Sequence, residues 1–233
     1  MTNLAKQKNQ KNIKKKYFFQ IYAATFLIIF FNVFYRIKKI DNHNVPNRGP
    51  FIIMGNHVSH LDVFVMAYGA FPRFIAPFFG PADARLWKSR IFGIILSGIN
   101  SIPIFKDSKD DTVVKYMIDV VRSGHQLLFF PEGARKKPPY DGKVEKGKLG
   151  TGWIAHALPN IPIIPCAIKN TEIAMPAWKG LTLGGGLRKI EFIVKYGKPI
   201  DLHEYIHLPS NRSTSEKVTR KIIKTIQNLY DSI

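Results

Sequence analysis

The chain has 233 residues, 45% of them hydrophobic, and a formal net charge of +19 from 35 Lys and Arg against 16 Asp and Glu. That length suffices for one α/β domain with a real core, and a single segment near spanning length excludes a multi-span membrane protein. The charge requires an anionic partner: membrane phospholipid, nucleic acid or a phosphorylated substrate.

The N-terminus narrows that choice. Lys6, Lys8, Lys11, Lys14, Lys15 and Lys16 form a basic run ahead of Tyr17 to Tyr35, a stretch without formal charge and rich in Phe, Ile, Leu and Tyr. As a helix at ~1.5 Å per residue it reaches ~28 Å, close to a bilayer core. Arg36, Lys38 and Lys39 follow at once and a small-x-small cleavage site is missing, which argues against a signal peptide. The segment reads as a membrane anchor. Basic flanks on both sides give no clean orientation and suit a helix that crosses the bilayer or one that dips into a single leaflet. Residues 1–48 are expected to be a basic N-terminus with a membrane-anchor helix, and residues 49–233 one α/β domain. Cys166 is the only cysteine, so an intrachain disulfide is excluded.

After a polar connector from Asp41 to Gly49, Phe51-Ile52-Ile53-Met54 reads as a buried strand ending at Gly55-Asn56. Val58 to Gly69 reads as a helix, Arg73 to Phe79 as a strand, Asp83 to Leu96 as a helix and Ser101 to Phe105 as a strand. Ser108, three residues before Asp111, has the shape of a capping box. The helix it opens places Val114, Met117, Ile118 and Val121 on one face and stops at Gly124. Gln126 to Phe130 is a short strand, Gly152 to Leu158 a short helix and Ile163 to Ile168 a buried strand. Lys189 to Tyr196 alternates as a half-exposed strand near a sheet edge does. Ser213 with Glu216 is expected to cap a last helix whose apolar residues are Val218, Ile222, Ile226 and Leu229. The expected architecture is α/β, a central mixed sheet flanked by helices.

Two blocks carry chemistry. The first is Asn56-His57-Val58-Ser59-His60-Leu61-Asp62. His57 lies where a strand gives way to a helix. On one continuous helix, positions five apart diverge by ~140° and do not meet. For the two side chains to interact, His57 must sit in the turn and Asp62 in the helix's first turns. Asp62 then holds one ring nitrogen and leaves the other free as a base. A nucleophilic serine is unnecessary if the attacking hydroxyl belongs to the substrate. His60, facing another direction, reads as a packing or supporting residue. A zinc site from His57, His60 and Asp62 is the competing arrangement, but the remaining histidines fall in no ligand motif.

The second block, Phe130-Pro131-Glu132-Gly133-Ala134-Arg135, ends a strand with a tight turn. Gly133 permits positive φ or close approach of a ligand. Arg135 offers a planar fork suited to phosphate, at a strand end, where open α/β sheets bind ligands. Glu132 suits organising the turn or a substrate hydroxyl. Lys136, Lys137, Lys143, Lys146 and Lys148 follow in a loop.

The two blocks together resemble the glycerolipid acyltransferase family, from about Pro50 to Leu202. The family's His-x4-Asp motif matches His57 and Asp62. Its second motif is matched loosely by Gly98 and Ile102-Pro103-Ile104-Phe105-Lys106, with Lys106 in place of the usual arginine. Its Phe-Pro-Glu-Gly motif matches Phe130 to Arg135, with Ala134 replacing a hydroxyl residue, and Lys146-Gly147 matches the pair found after it. Ile161 to Pro165 and Tyr196 to Ile200 match later motifs. The stretch Ile75 to Pro81 departs from the family, being apolar where relatives often carry Ala-Lys. The resemblance implies that His57 and Asp62 are catalytic. It implies that Lys106, Glu132, Gly133, Arg135 and Lys146 bind substrate, and that Asn56 assists the oxyanion or the turn. It also implies acyl transfer from acyl-CoA or acyl-acyl carrier protein, as co-substrate, to lysophosphatidic acid, glycerol 3-phosphate or another lysophospholipid. No metal or organic cofactor is expected. The enzyme is expected at a membrane, on the cytoplasmic face, with phospholipid and not nucleic acid as the partner of its charge. A zinc hydrolase and a non-catalytic anionic-lipid binder are the alternatives of other classes.

Overall fold

The computed structural model describes residues 22, 25, 26, 28, 29, 31–71, 78–90, 93, 96, 100–105, 111–174 and 190–233. Among them, strands and helices follow in the order β1 (Arg36–Ile40), β2 (Ile52–Gly55), α1 (Asp62–Ala70), β3 (Gly80–Asp83), β4 (Ser101–Ile104), α2 (Asp111–Arg122), β5 (Leu127–Phe129), α3 (Leu149–Ala157), β6 (Ile163–Lys169), α4 (Thr171–Ala174), β7 (Glu191–Tyr196), α5 (His203–Ile206) and α6 (Arg212–Asp231). Five strands form one mixed sheet in the order β1-β7-β6-β2-β5. β5, β2 and β6 run parallel, with Ile52 opposite both Leu127 and Ile163, while β7 runs antiparallel to β6. β3 and β4 pair separately, and Phe79, just ahead of β3, bridges to Leu127 so that this pair continues the sheet beyond β5. The mixed sheet flanked by helices agrees with the architecture expected.

Burial on both faces explains the apolar runs of the central strands. Ile53, Leu128, Ile164, Cys166 and Ile168 point to one layer, where they meet Leu61, Val65 and Met66 of the α1 region. Ile52, Met54, Leu127, Phe129 and Ile163 point to the other, against α2, α3 and α6. There Met117, Ile118 and Val121 are buried as expected of α2, and Val218, Ile222 and Ile226 seat α6 on the sheet. Gly124 ends the α2 region with φ 88°.

Several boundaries differ from the sequence expectation. Arg36 to Lys39, expected to flank an anchor, lie in edge strand β1, parallel to β7. The helical residues before it put Phe31 and Tyr35 into the core, where Tyr35 stacks on Phe192 at 4.5 Å. Of the expected anchor, Tyr17 to Tyr35, residues 17–21, 23, 24, 27 and 30 lie outside the described residues. Among the described residues no helix is long and apolar enough to cross a membrane. The expected strand at Arg73 to Phe79 falls largely outside them too, and the strand found is the next segment, β3. Asp83 starts a short 3-10 turn, Ala84–Lys88, by accepting from the Arg85 amide. Helix α6 starts at Arg212, capped by Asn211 rather than Ser213: the Asn211 side chain accepts from the Thr214 amide at 2.9 Å. Asn caps as well as Ser, and with Asn211 in that place Ser213 falls inside the helix. Glu216 pairs instead with Arg212.

Helices α3 and α6 touch through Gly152, where a Cβ would stand 2.1 Å from the Ser215 carbonyl oxygen. Backbone cannot yield as a side chain does. Gly152→Ala is expected to destabilise the protein by about 1–3 kcal/mol, read as a lower urea midpoint at unchanged denaturant slope.

Candidate active site

Three neighbouring parallel strands end side by side: β2 at Gly55, β5 at Phe129 and β6 at Lys169. The turns that leave them meet at one place, where open α/β sheets form ligand sites. Asn56 joins two of them. Its side-chain amide donates to the Ile168 carbonyl (2.9 Å), and its side-chain oxygen accepts from the Ile168 amide (2.8 Å). It therefore prolongs the β2–β6 ladder by one rung. Expected to assist the oxyanion or the turn, Asn56 is buried and its amide is taken up by backbone.

His57 follows in the turn, and its Nδ1 lies 2.9 Å from Asp62 Oδ2. The helix begins at Asp62 rather than at Val58. The reason is local: the same Oδ2 accepts from the Val58 and Ser59 amides, each at 2.7 Å, which bends residues 57–61 into a loop around the carboxylate. Asp62 Oδ1 accepts from the Thr171 hydroxyl at 2.5 Å. Asp62 is sealed, 0% exposed, while the His57 side chain is 16% exposed. The imidazole stacks on Phe130 with ring centres 3.9 Å apart and planes 6° from parallel. Its Nδ1 is held by the carboxylate, so Nε2 is the nitrogen left to take a proton.

Glu132 holds the second turn against the first. Its Oε1 accepts from the His57 amide (2.6 Å) and its Oε2 from the Glu145 amide (3.0 Å). Both oxygens, expected to organise the turn or meet a substrate hydroxyl, accept from backbone amides. Burial pushes its carboxyl up to about 7, against those two N–H groups, which favour the anion. The Lys136 amide donates to the His57 carbonyl at 2.8 Å, so both backbone polar groups of His57 are tied to this turn. Gly133 has the positive φ expected, 73°, and a Cβ there would lie 2.8 Å from Lys148 Cγ.

Arg135 is half-buried. Its Nη1 donates to His60 Nδ1 at 2.8 Å, and its Nε is buried without a protein partner among the described residues. His60 Nδ1 is thus committed to the arginine. Among the described residues no group of three or more His, Cys, Asp or Glu side chains could hold a metal ion. Burial, and then the Arg135 charge, lower the His60 imidazole to about 4. Lys136 turns back to Asp141 and Glu145. Lys146 is exposed. Lys106, Gly98 and the stretch 72–77 lie outside the described residues. Three features of the site escaped the sequence reading: Thr171, the ring of Phe130 beneath His57, and the link from His60 to Arg135. Only Phe130 carried a signal, being part of the second block.

A family model for acyltransferases matches residues 36–169, more than half of the chain. This chain belongs to the acyltransferase family. It is 27% identical over 174 residues to a chloroplastic 1-acyl-sn-glycerol-3-phosphate acyltransferase of Brassica napus, covering 72% of this chain and 48% of that protein. It is 24% identical over 191 residues to a 1-acyl-sn-glycerol-3-phosphate acyltransferase of Streptococcus pneumoniae, covering 81% of this chain and 64% of that one. The chain thus spans about half the length of the plant acyltransferase and under two thirds of the bacterial one. Its fold is that of the crystal structure of the 1-acyl-sn-glycerophosphate acyltransferase of Thermotoga maritima, with TM-score 0.61 and 20% identity over 97% of this chain and 84% of that one. The matched segment includes His57, Asp62, Glu132 and Arg135 and ends two residues before Thr171.

The His60 contact gives a stability signature. A histidine lowered from 6.5 to about 4 in the folded state binds its proton more readily when unfolded, so folding gains stability as pH rises between those values. The urea midpoint of the wild type, minus that of His60→Asn, is expected to increase from pH 4 to pH 6.5 and then level off. A flat difference would mean that His60 is not held neutral.

Proposed function

We propose that this protein transfers an acyl chain from acyl-CoA or acyl-acyl carrier protein to the free hydroxyl of lysophosphatidic acid, giving phosphatidic acid for phospholipid synthesis. The observation that carries this reading is the pairing of an Asp62-held imidazole with a half-buried, incompletely satisfied Arg135, on adjacent turns. One supplies a base and the other an anion contact.

In the proposed reaction His57 Nε2 removes the proton from the acceptor hydroxyl as its oxygen attacks the thioester carbonyl. Asp62 stabilises the imidazolium formed. Collapse of the tetrahedral adduct breaks the C–S bond, and the imidazolium returns its proton to the departing thiolate. Arg135 holds the acceptor phosphate, with the backbone at Gly133 beside it and Lys106 and Lys146 as further cations. The substrate hydroxyl is the nucleophile, so the chemistry requires neither metal nor organic cofactor.

Acceptor and product are bilayer amphiphiles, which favours work at a membrane, in our reading at its cytoplasmic face. Tyr22, Phe26, Ile29 and Val33 are exposed on the helical residues ahead of β1. Their spacing of four, three and four is that of a single helix face. An apolar face outward and Phe31 inward suit a segment seated in one leaflet, and the surplus of cations suits anionic headgroups.

The test is release of free thiol from palmitoyl-CoA by detergent-solubilised protein, with and without lysophosphatidic acid. Acceptor-dependent release is expected. His57→Ala should lower kcat by about 100- to 10,000-fold, the usual worth of a positioned base, and Asp62→Asn should follow it closely. Arg135→Ala should raise the acceptor KM about tenfold or more, as loss of a charge-assisted contact does. Unchanged acceptor dependence in that variant overturns the phosphate assignment. Release without acceptor points to a hydrolase, and thiol release with glycerol 3-phosphate alone moves the acceptor one step earlier.

A further inference from the structure

Asp62 Oδ2 is crowded with three donors: the His57 ring and the Val58 and Ser59 amides. All three come from its own turn. Among the described residues Oδ1 has one partner, the hydroxyl of Thr171, from the start of α4, 109 residues further on. Thr171 and Asp62 are both 0% exposed. The chain reaches this point by a specific route. Asn56 clamps Ile168 on both backbone groups, and Asn170 takes φ 73°, in the left-handed region. The Asn170 side chain donates to the Glu191 carbonyl, fixing the sharp bend. The next residue then sets its hydroxyl against the carboxylate.

We infer that Thr171 is a positioning residue for the His57–Asp62 pair, its hydroxyl fixing the plane of the Asp62 carboxylate by satisfying Oδ1. A carboxylate oxygen in a dry site gains strongly from a donor and is costly to leave bare. With Oδ1 unmatched, the carboxylate can rotate about its last bond or take up a proton, and either change loosens its hold on His57 Nδ1. Thr171 touches no reacting atom in this arrangement, so its effect falls on kcat and not on substrate binding. The hydroxyl donates to the carboxylate.

The kinetic part rests on the acyl-transfer reading; the spectroscopic part does not. Full-length Thr171→Val and Thr171→Ser proteins are compared with wild type in the thiol-release assay and by proton NMR of the downfield His57 Nδ1–H resonance, assigned by its loss in His57→Ala. The valine variant is expected to lose about tenfold or more in kcat, the worth of a hydrogen bond to a charged group. Both KM values should stay within about twofold of wild type, the pattern of an interaction that acts on the chemical step. Its Nδ1–H resonance should move upfield or broaden by exchange, and serine should restore both readouts. If valine does not fold, Thr171→Ala carries the same expectations. A valine or alanine variant with wild-type kcat and an unmoved resonance, a serine variant no better than valine, or a rise in KM alone would overturn the inference. A wild-type protein inactive in acyl transfer removes the reaction assignment, while the resonance still decides whether Thr171 holds Asp62.

Discussion

A carboxylate with no exposure to solvent is the constraint on which the site depends. Asp62 is fully buried, and an unpaired charge there would be prohibitive. It is kept by donors on two segments of chain: the His57–Ser59 turn and the start of α4. Because the donors surround it, the turn before α1 cannot relax into helix and His57 cannot rotate away. The price of burying this charge is a fixed imidazole. One ring face is covered by Phe130 and one nitrogen is engaged, so Nε2 is the ring nitrogen left for proton transfer.

The second turn shows a division of labour between anion and cation. Glu132 spends both oxygens on backbone amides, one from each side of the site, and so welds the His57 turn to the loop beyond β5. It acts on geometry. Among the described residues Arg135 keeps a buried nitrogen without protein partner, while a neutral His60 steadies its Nη1. A guanidinium fixed in direction but incompletely satisfied is a better anion receptor than a mobile lysine, because less freedom is lost on binding. Lys136 has been drawn back to Asp141 and Glu145 and is spent on the loop itself.

The sheet places these parts without belonging to them. Two apolar layers hold β2, β5 and β6 at fixed register. Residues just past their ends therefore meet, although they are far apart in the chain. The layer that contains α1 also takes in Phe31 and Tyr35. A charged edge strand, β1, thus follows an apolar segment that shows one face to the core and another to its surroundings.

The local patterns were enough to determine the α/β class, the apolar faces of α2 and α6, the need for His57 to sit in a turn ahead of Asp62, and the tight turn at Gly133. Each rests on spacing within a dozen residues, where backbone geometry alone decides which side chains can meet. The same logic failed at β1, where a run of cations hid a strand whose neighbour is β7, and at the α6 cap, where Asn211 and not Ser213 accepts from the Thr214 amide. Glu132 and Asn56 were read as serving either the turn or the substrate, and the sequence left that choice open because it does not reveal which backbone groups will need satisfying. Thr171 had no signal at all. Its partner is fixed by the pairing of β6 with β2, and contacts at that separation exist only once the sheet has closed and buried them.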